Sequence, residues 1–168
     1  MNRPRRVLII VENLPVPSGD DGEADNVSCW SVQHCRLIGA VSRRGQSSGG
    51  PVAVAVWKWS GDDFTATTGY QPSHSPEIES LSCTSASFCV AAGWEFDFAT
   101  DGSSHLDLLW NGTSWTPLDI HRTALSGSGT VSTTTDGVAC SAADACRMVG
   151  DDSNGTARGT FLDSLQAT

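Results

Sequence analysis

The stretch LSCTSASFCVAAGW, Leu81 to Trp94, sets two cysteines six positions apart ahead of a short apolar run that ends in glycine. The same arrangement returns as VSCWSVQHCRLIG from Val27 and as VACSAADACRMVG from Val138. The pairs are Cys29/Cys35, Cys83/Cys89 and Cys140/Cys146, each a C-x5-C; Cys29 to Cys83 spans 54 residues and Cys83 to Cys140 spans 57. Self-similarity at such a period marks a repeat architecture. Residues opposed across an antiparallel pair have Cα atoms about 4.5 to 5.5 Å apart, within disulfide reach, and an odd number of intervening residues suits a three- or five-residue turn. Each pair is therefore expected to staple its own hairpin, a closure worth roughly 2 kcal/mol by chain entropy. Structural zinc favours C-x2-4-C pairs, and His does not recur in register with these cysteines, so no metal is expected. Three pairs of buried free thiols in a reducing cytosol are the competing reading.

Working outward from each pair extends the repeat. The second cysteine opens an apolar strand ending at Gly39, Gly93 or Gly150, and a polar loop follows: SRRGQSSGG, WEFDFATDGSSH or DDSNGTARG. Then comes another apolar strand, PVAVAVWKW to Trp59, LDLLW to Trp110, or TFLDSL to Leu165. Units one and two continue into a tight turn and a fourth strand, W-S-G-D-D-F (Trp59 to Phe64) and W-N-G-T-S-W (Trp110 to Trp115). Asn-Gly is a strong hairpin signal, and the flanking aromatics are expected to pair across it. Each unit thus reads as a four-stranded meander, A-B-C-D.

Composition agrees with an all-β chain. The 168 residues, 39% hydrophobic, suffice for one domain with a core, and helix formers are sparse beside Gly, Ser, Thr, Val and Asp. A net charge of -9, with ten basic residues against 19 acidic, argues against nucleic acid as a partner, since phosphate neutralisation needs a basic surface. No segment is long enough to span a membrane. The aliphatic run VLIIV, Val7 to Val11, is too short for a secretory signal and reads as a strand followed by a turn-rich acidic loop. Paired cysteines nevertheless point to an oxidising, extracytoplasmic compartment, so the missing signal peptide raises the expectation of a truncated start.

The organisation is read as 1-26, an N-terminal strand and loop; 27-80, unit one; 81-137, unit two; and 138-168, an incomplete unit three. The strand count is D, ABCD, ABCD, ABC, an offset that lets first and last strands meet in one sheet, and that would also arise if the chain were cut from a longer array. The pattern S-C-x5-C-x-A-x-G, a polar loop, an apolar strand and W-N-G-T-S-W resembles a family of bacterial, mostly extracytoplasmic, repeat proteins expected to form β-propeller-like folds. It is closest in unit two, departs in unit one at WKWSGDDF, and lacks the Trp motif in unit three. The resemblance implies a scaffold, usually of more than three units, and no catalytic residues. Propellers have about four to eight blades, so the expectation is all-β and propeller-like, partial or truncated, with self-association through open sheet edges; a β-trefoil-like closed domain is the alternative.

In a propeller-like packing the A-B and C-D turns share one rim, and the B-C and D-A loops the other. The second rim is expected to hold the site. Its residues are Arg43, Arg44, Trp94, Asp97, Asp101, His105, Asp151 and Asp152, with Tyr70, His74 and His121 on the D-A connections; the binding set drawn from them is Tyr70, Trp94, Asp97, Asp101, His105, Asp151 and Asp152. GQSSG, Gly45 to Gly49, fits G-x-S-x-G but precedes a strand rather than a helix. The NVS and NGT triplets fit glycosylation acceptors, with Asn-Gly better explained as a turn. GDDSNG around Asp152 has part of a calcium-loop spacing without the full ligand set. No cofactor is implied. The expected function is a non-enzymatic binding or adhesion scaffold, its unknown ligand of carbohydrate class, with Trp94 and Tyr70 stacking on sugar faces. The alternative is a propeller-type glycosidase or lyase fragment using carboxylates such as Asp97 and Asp101.

Overall fold

The structure, a computed structural model of the chain, describes residues 14–16, 20–43, 53–61, 63–118, 132–143, 145–154 and 157–166. VLIIV, GQSSG, Arg44 and His121 lie outside the described residues. Three antiparallel sheets follow the repeat. In unit one, β1 (Asp20–Ser31), β2 (His34–Arg43), β3 (Ala53–Trp59) and β4 (Phe64–Tyr70) pair in that order. In unit two, β5 (Ser75–Ser85), β6 (Phe88–Asp97), β8 (Leu108–Trp110) and β9 (Trp115–Pro117) form the path, and an additional strand, β7 (Gly102–His105), pairs with β6. Unit three has β10 (Ser132–Ala142), β11 (Ala145–Ser153) and β12 (Arg158–Gln166). Among the described residues no strand of one sheet pairs with a strand of another, so the single closed barrel of the trefoil-like alternative is not formed.

All three cysteine pairs are disulfides, Cys29–Cys35, Cys83–Cys89 and Cys140–Cys146, with Cα atoms 3.9, 4.0 and 4.0 Å apart. The paired cysteines face each other in register, as the spacing requires. The turn differs from the expected three- or five-residue loop. Ser31 pairs with His34 and Ser85 with Phe88, each closing a two-residue turn, and the remaining odd residue is taken up as a β-bulge just after the first cysteine.

A second bulge recurs further along the same strands. The register slips between Ala24 and Asn26, between Ile78 and Ser80, and between Thr135 and Gly137, so Asp25, Glu79 and Asp136 are the unpaired residues. Gly39, Gly93 and Gly150 lie opposite. A Cβ on these glycines would sit 2.0, 2.0 and 2.1 Å from the carbonyl oxygens of Glu23, Glu77 and Thr134. The glycine ending each apolar run is therefore there for close backbone approach at the bulge.

The C-D hairpins form as their sequences suggest. Trp110 faces Trp115 with ring centroids 5.6 Å apart, and Trp59 faces Phe64 at 4.8 Å. Gly61 and Gly112 hold φ of 96° and 97°, which a side chain would resist, and Asn111 Oδ1 accepts from the N–H groups of Thr113 and Ser114. Gly61 lies against Gln33 and Gly112 against Ser87, so the A-B and C-D turns do share one rim.

The sheets pack face to face in chain order. Ile38, Val54 and Val56 of unit one meet Leu81, Cys89, Ala91, Leu108, Trp110 and Trp115 of unit two in one apolar cluster. Val90 and Ala92, on the other face of unit two, meet Cys146 and Met148 of unit three, with Leu109 and Leu165 packed beside them. Each unit therefore shows its disulfide-bearing face to the unit before it and the opposite face to the unit after it. The first strands adjoin: β5 contacts both β1 and β10. Hydrogen bonds repeat at these seams, Cys83 N–H donating to Ser28 Oγ (2.8 Å) and Cys140 N–H to Ser82 Oγ (2.9 Å). The serine of the S-C pair is thus an inter-unit clamp.

Candidate functional site

The stretch expected to be a polar loop, WEFDFATDGSSH, is a β-hairpin. Alternation of Trp94, Glu95, Phe96 and Asp97 continues β6 past Gly93, and β7 pairs back with Trp94 opposite His105 and Asp97 opposite Gly102. Aromatic rings and carboxylates therefore take opposite faces. Asp101 sits in the turn with φ 54°, a left-handed conformation tolerated by Asp. Asp97 closes the turn: its carboxylate accepts from Ala99 N–H (2.8 Å) and Thr100 Oγ (2.9 Å). The Ala99 backbone bond first, then the Thr100 hydroxyl and the nearby His74, hold its pKa below the ordinary 3.8. His74 Nδ1 stands 3.7 Å from Asp97 Oδ1.

Most of the expected loop residues are strand residues. Trp94 and Asp97 lie in β6, His105 in β7 and Arg43 at the end of β2. Tyr70 ends β4 and packs against the core between units one and two, rather than standing on an exposed connection, because a register shift between Val54 and Val56 sets it opposite Val54, on the face turned toward unit two. Asp151 and Asp152 belong to β11, opposite Thr134 and Thr133. Adjacent strand residues point to opposite faces, so these two carboxylates do not form a pair. Asn154 is buried, and its Oδ1 accepts from Ala157 N–H (2.8 Å). Among the described residues no group of three or more His, Cys, Asp or Glu is placed to hold a metal ion.

The groove that the structure does build lies between the first strands of units one and two. Glu23 and Asp25 of β1 face Glu77 and Glu79 of β5 across it, with Asn26, Ala40, Pro76 and Ile78 completing the walls and a volume of about 440 Å³. Asn26 Nδ2 spans it by donating to Ile78 O at 2.8 Å. Trp94 joins the groove to the hairpin, its indole N–H reaching Glu79 Oε1 at 3.3 Å. Desolvation, then the charges of Glu23 and Glu79, raise the Asp25 pKa above 3.8. Desolvation, then the charges of Glu79, Asp25 and Glu23, raise Glu77 above 4.5. Both carboxyls resist ionising beside like charges.

All four of these acids lie outside the residues expected from sequence to bind. A signal was present: an acid stands four positions before the first cysteine in every unit, as Asp25, Glu79 and Asp136. Units begun at Val27, Leu81 and Val138 leave it out of the motif. Chemically the site offers a flat indole, partly exposed, beside a row of hydrogen-bond acceptors in a field of negative charge. Three disulfides fit an oxidising, extracytoplasmic setting, and no helix among the described residues is long and apolar enough to cross a membrane. No protein-family model matches the chain and no curated protein matches it, so a functional reading rests on these residues.

Proposed function

We propose that the chain is a non-enzymatic binding scaffold of propeller-like units whose ligand is a neutral or cationic carbohydrate. The observation that carries this reading is the joining of Trp94 to the four-carboxylate groove through Glu79. An aromatic face takes the apolar side of a sugar ring, and carboxylates accept its hydroxyl or ammonium hydrogens. The negative field of the groove disfavours uronic and other acidic sugars and attracts amino sugars. Tyr70, packed in the core, is dropped from the stacking set, and His105, opposite Trp94, takes its place at the rim.

Isothermal titration of the oxidised chain with chitosan oligosaccharides and with polygalacturonate tests this. Saturable binding of the first alone, weakened about tenfold or more by Trp94→Ala, is expected. Indifference to Trp94→Ala, or equal binding of the acidic glycan, would sink the reading. An enzymatic reading, as a glycosidase, has one observation in its favour: raised carboxyls on Asp25 and Glu77 beside Glu23 and Glu79, the pairing that acid and base roles require. Product release from the same oligosaccharides, abolished by Glu77→Gln, would establish it over the binder.

A further inference from the structure

We propose that the outward face of unit three docks on the outward face of unit one of a second copy of this chain, repeating the junction that already joins units one and two. The inference needs only the packing of the sheets and stands whether or not the ligand is a sugar.

The repeat register makes the two outward faces comparable with the buried ones. Unit one shows unit two the side chains of Arg36, Ile38 and Val56; the matching positions in unit three are Arg147, Val149 and Leu162. Ile38 and Val56 are 0% and 1% exposed under unit two, whereas Val149 and Leu162, paired with each other across β11 and β12, are 47% and 68% exposed. On the opposite side of the molecule, Val27 of unit one matches Leu81 and Val138 of the later units. Leu81 is 8% exposed beneath unit one, and Val27 is 61% exposed. Among the described residues, each outward face thus has the make-up of an inter-unit face and exposes side chains that a junction would bury.

The chemistry of the two faces also matches. Arg36 crosses the first junction to lie over Trp110, its guanidinium carbon 4.2 Å from the ring centroid and 5.9 Å from that of Trp115. By register, Trp59 and Phe64 are the counterparts of Trp110 and Trp115, and Arg147 is the counterpart of Arg36. The middle junction uses an apolar match instead, Val90 with Leu165. Among the described residues the chain therefore carries at one end an exposed Arg147, its Nη1 donating to Cys146 O (3.0 Å) and its guanidinium face open, and at the other a partly exposed pair of aromatics. Pro15 O accepts from Trp57 Nε1 at 2.7 Å on the unit-one face, and Trp59 and Phe64 stay partly exposed. One part of the junction is weaker: Ala139 stands where Ser28 and Ser82 supply the clamp. Two chains joined at both ends make six units, within the range of closed propellers of about four to eight blades.

Light scattering after gel filtration, and sedimentation across the micromolar range, test this on the oxidised 168-residue chain. Twice the chain mass is expected, and an open head-to-tail series with the same sensitivities supports the docking equally. Leu162→Glu and Arg147→Glu, both on exposed side chains, should each weaken association about tenfold or more with the unfolding midpoint unchanged. Trp59→Ala should weaken it too, and the double variant with Arg147→Glu by less than the sum. Ala139→Ser should tighten it about fivefold by restoring the clamp. A monomer at every concentration overturns the proposal. So does association that ignores Leu162→Glu and is abolished instead by proline on the β12 edge.

Discussion

β6 and β11 are the same strand of two successive units, and burial separates them. In β6, Cys89 to Gly93 are buried without interruption, with units one and three on its two sides. In β11, Cys146, Met148 and Gly150 are buried while Arg147, Val149 and Asp151 are exposed. The amino-acid patterns follow: CVAAG is apolar on both faces, and CRMVGD alternates. A strand in such a stack records the number of its neighbours in its periodicity, continuous when it has two and alternating when it has one. What the comparison teaches is that stability in this molecule belongs to junctions as much as to units.

The largest test of that statement compares Ile38 with Val149, which occupy matching positions. Ile38→Ala should cost about 3–4 kcal/mol in urea unfolding, because unit two closes over the site and leaves a cavity. Val149→Ala should cost under about 0.5 kcal/mol in the dissociated chain. Equal losses would break the comparison. The disulfides sharpen it next. Replacing Cys83 and Cys89 by Ala should cost about 3 kcal/mol, since loop-closure entropy is joined by lost packing at a buried site, whereas the same change at Cys29 and Cys35 should cost about 2 kcal/mol. Cys89 is fully buried and Cys29 exposed, so bridges of identical span differ only in what covers them.

The smallest effect concerns charge at the first junction. Glu77 is held above its ordinary 4.5 by desolvation and then by Glu79, Asp25 and Glu23. The folded chain thus binds its proton more tightly than the unfolded one. The resulting loss of stability is full above the raised value and fades as pH falls to 4.5. Glu77→Gln should raise the melting temperature by about 1–2 °C at neutral pH, a modest gain because the group is largely solvated, and the gain should vanish toward pH 4.5. Asp97 has the opposite sign: its depressed pKa adds stability above 3.8 that is lost on further acidification. A gain from Glu77→Gln that persists unchanged in acid would show that crowding, not charge, acts in the groove.

Much of this fold was legible because its determinants are local. The C-x5-C pairs needed only hairpin geometry, and W-N-G-T-S-W needed only the left-handed preference of Gly112 and the Asn111 side chain. The site was harder to read. WEFDFATDGSSH looked like a loop because its polar content outweighed its period-two alternation, yet that alternation was the strand signal. The acids of the groove were missed for another reason: Glu23 and Asp25 meet Glu77 and Glu79 only when two sheets pack, and no spacing along the chain encodes that meeting. Tyr70 shows the same limit from the other side. Its aromatic, polar character suggested a ligand contact, and packing assigned it to the core.

The clamp has a direction. The serine always belongs to the earlier unit and the accepted N–H to the first cysteine of the later one. Each bridge after the first therefore lies beside a seam as well as across a hairpin, so a reductant acts on the joints of the stack through the bridges of units two and three. The bridge of unit one fastens no seam among the described residues. Reduction of this molecule is thus polar along the chain, loosening each member from the one before it, in the way that a row of buttons sewn on one side only comes undone from that side.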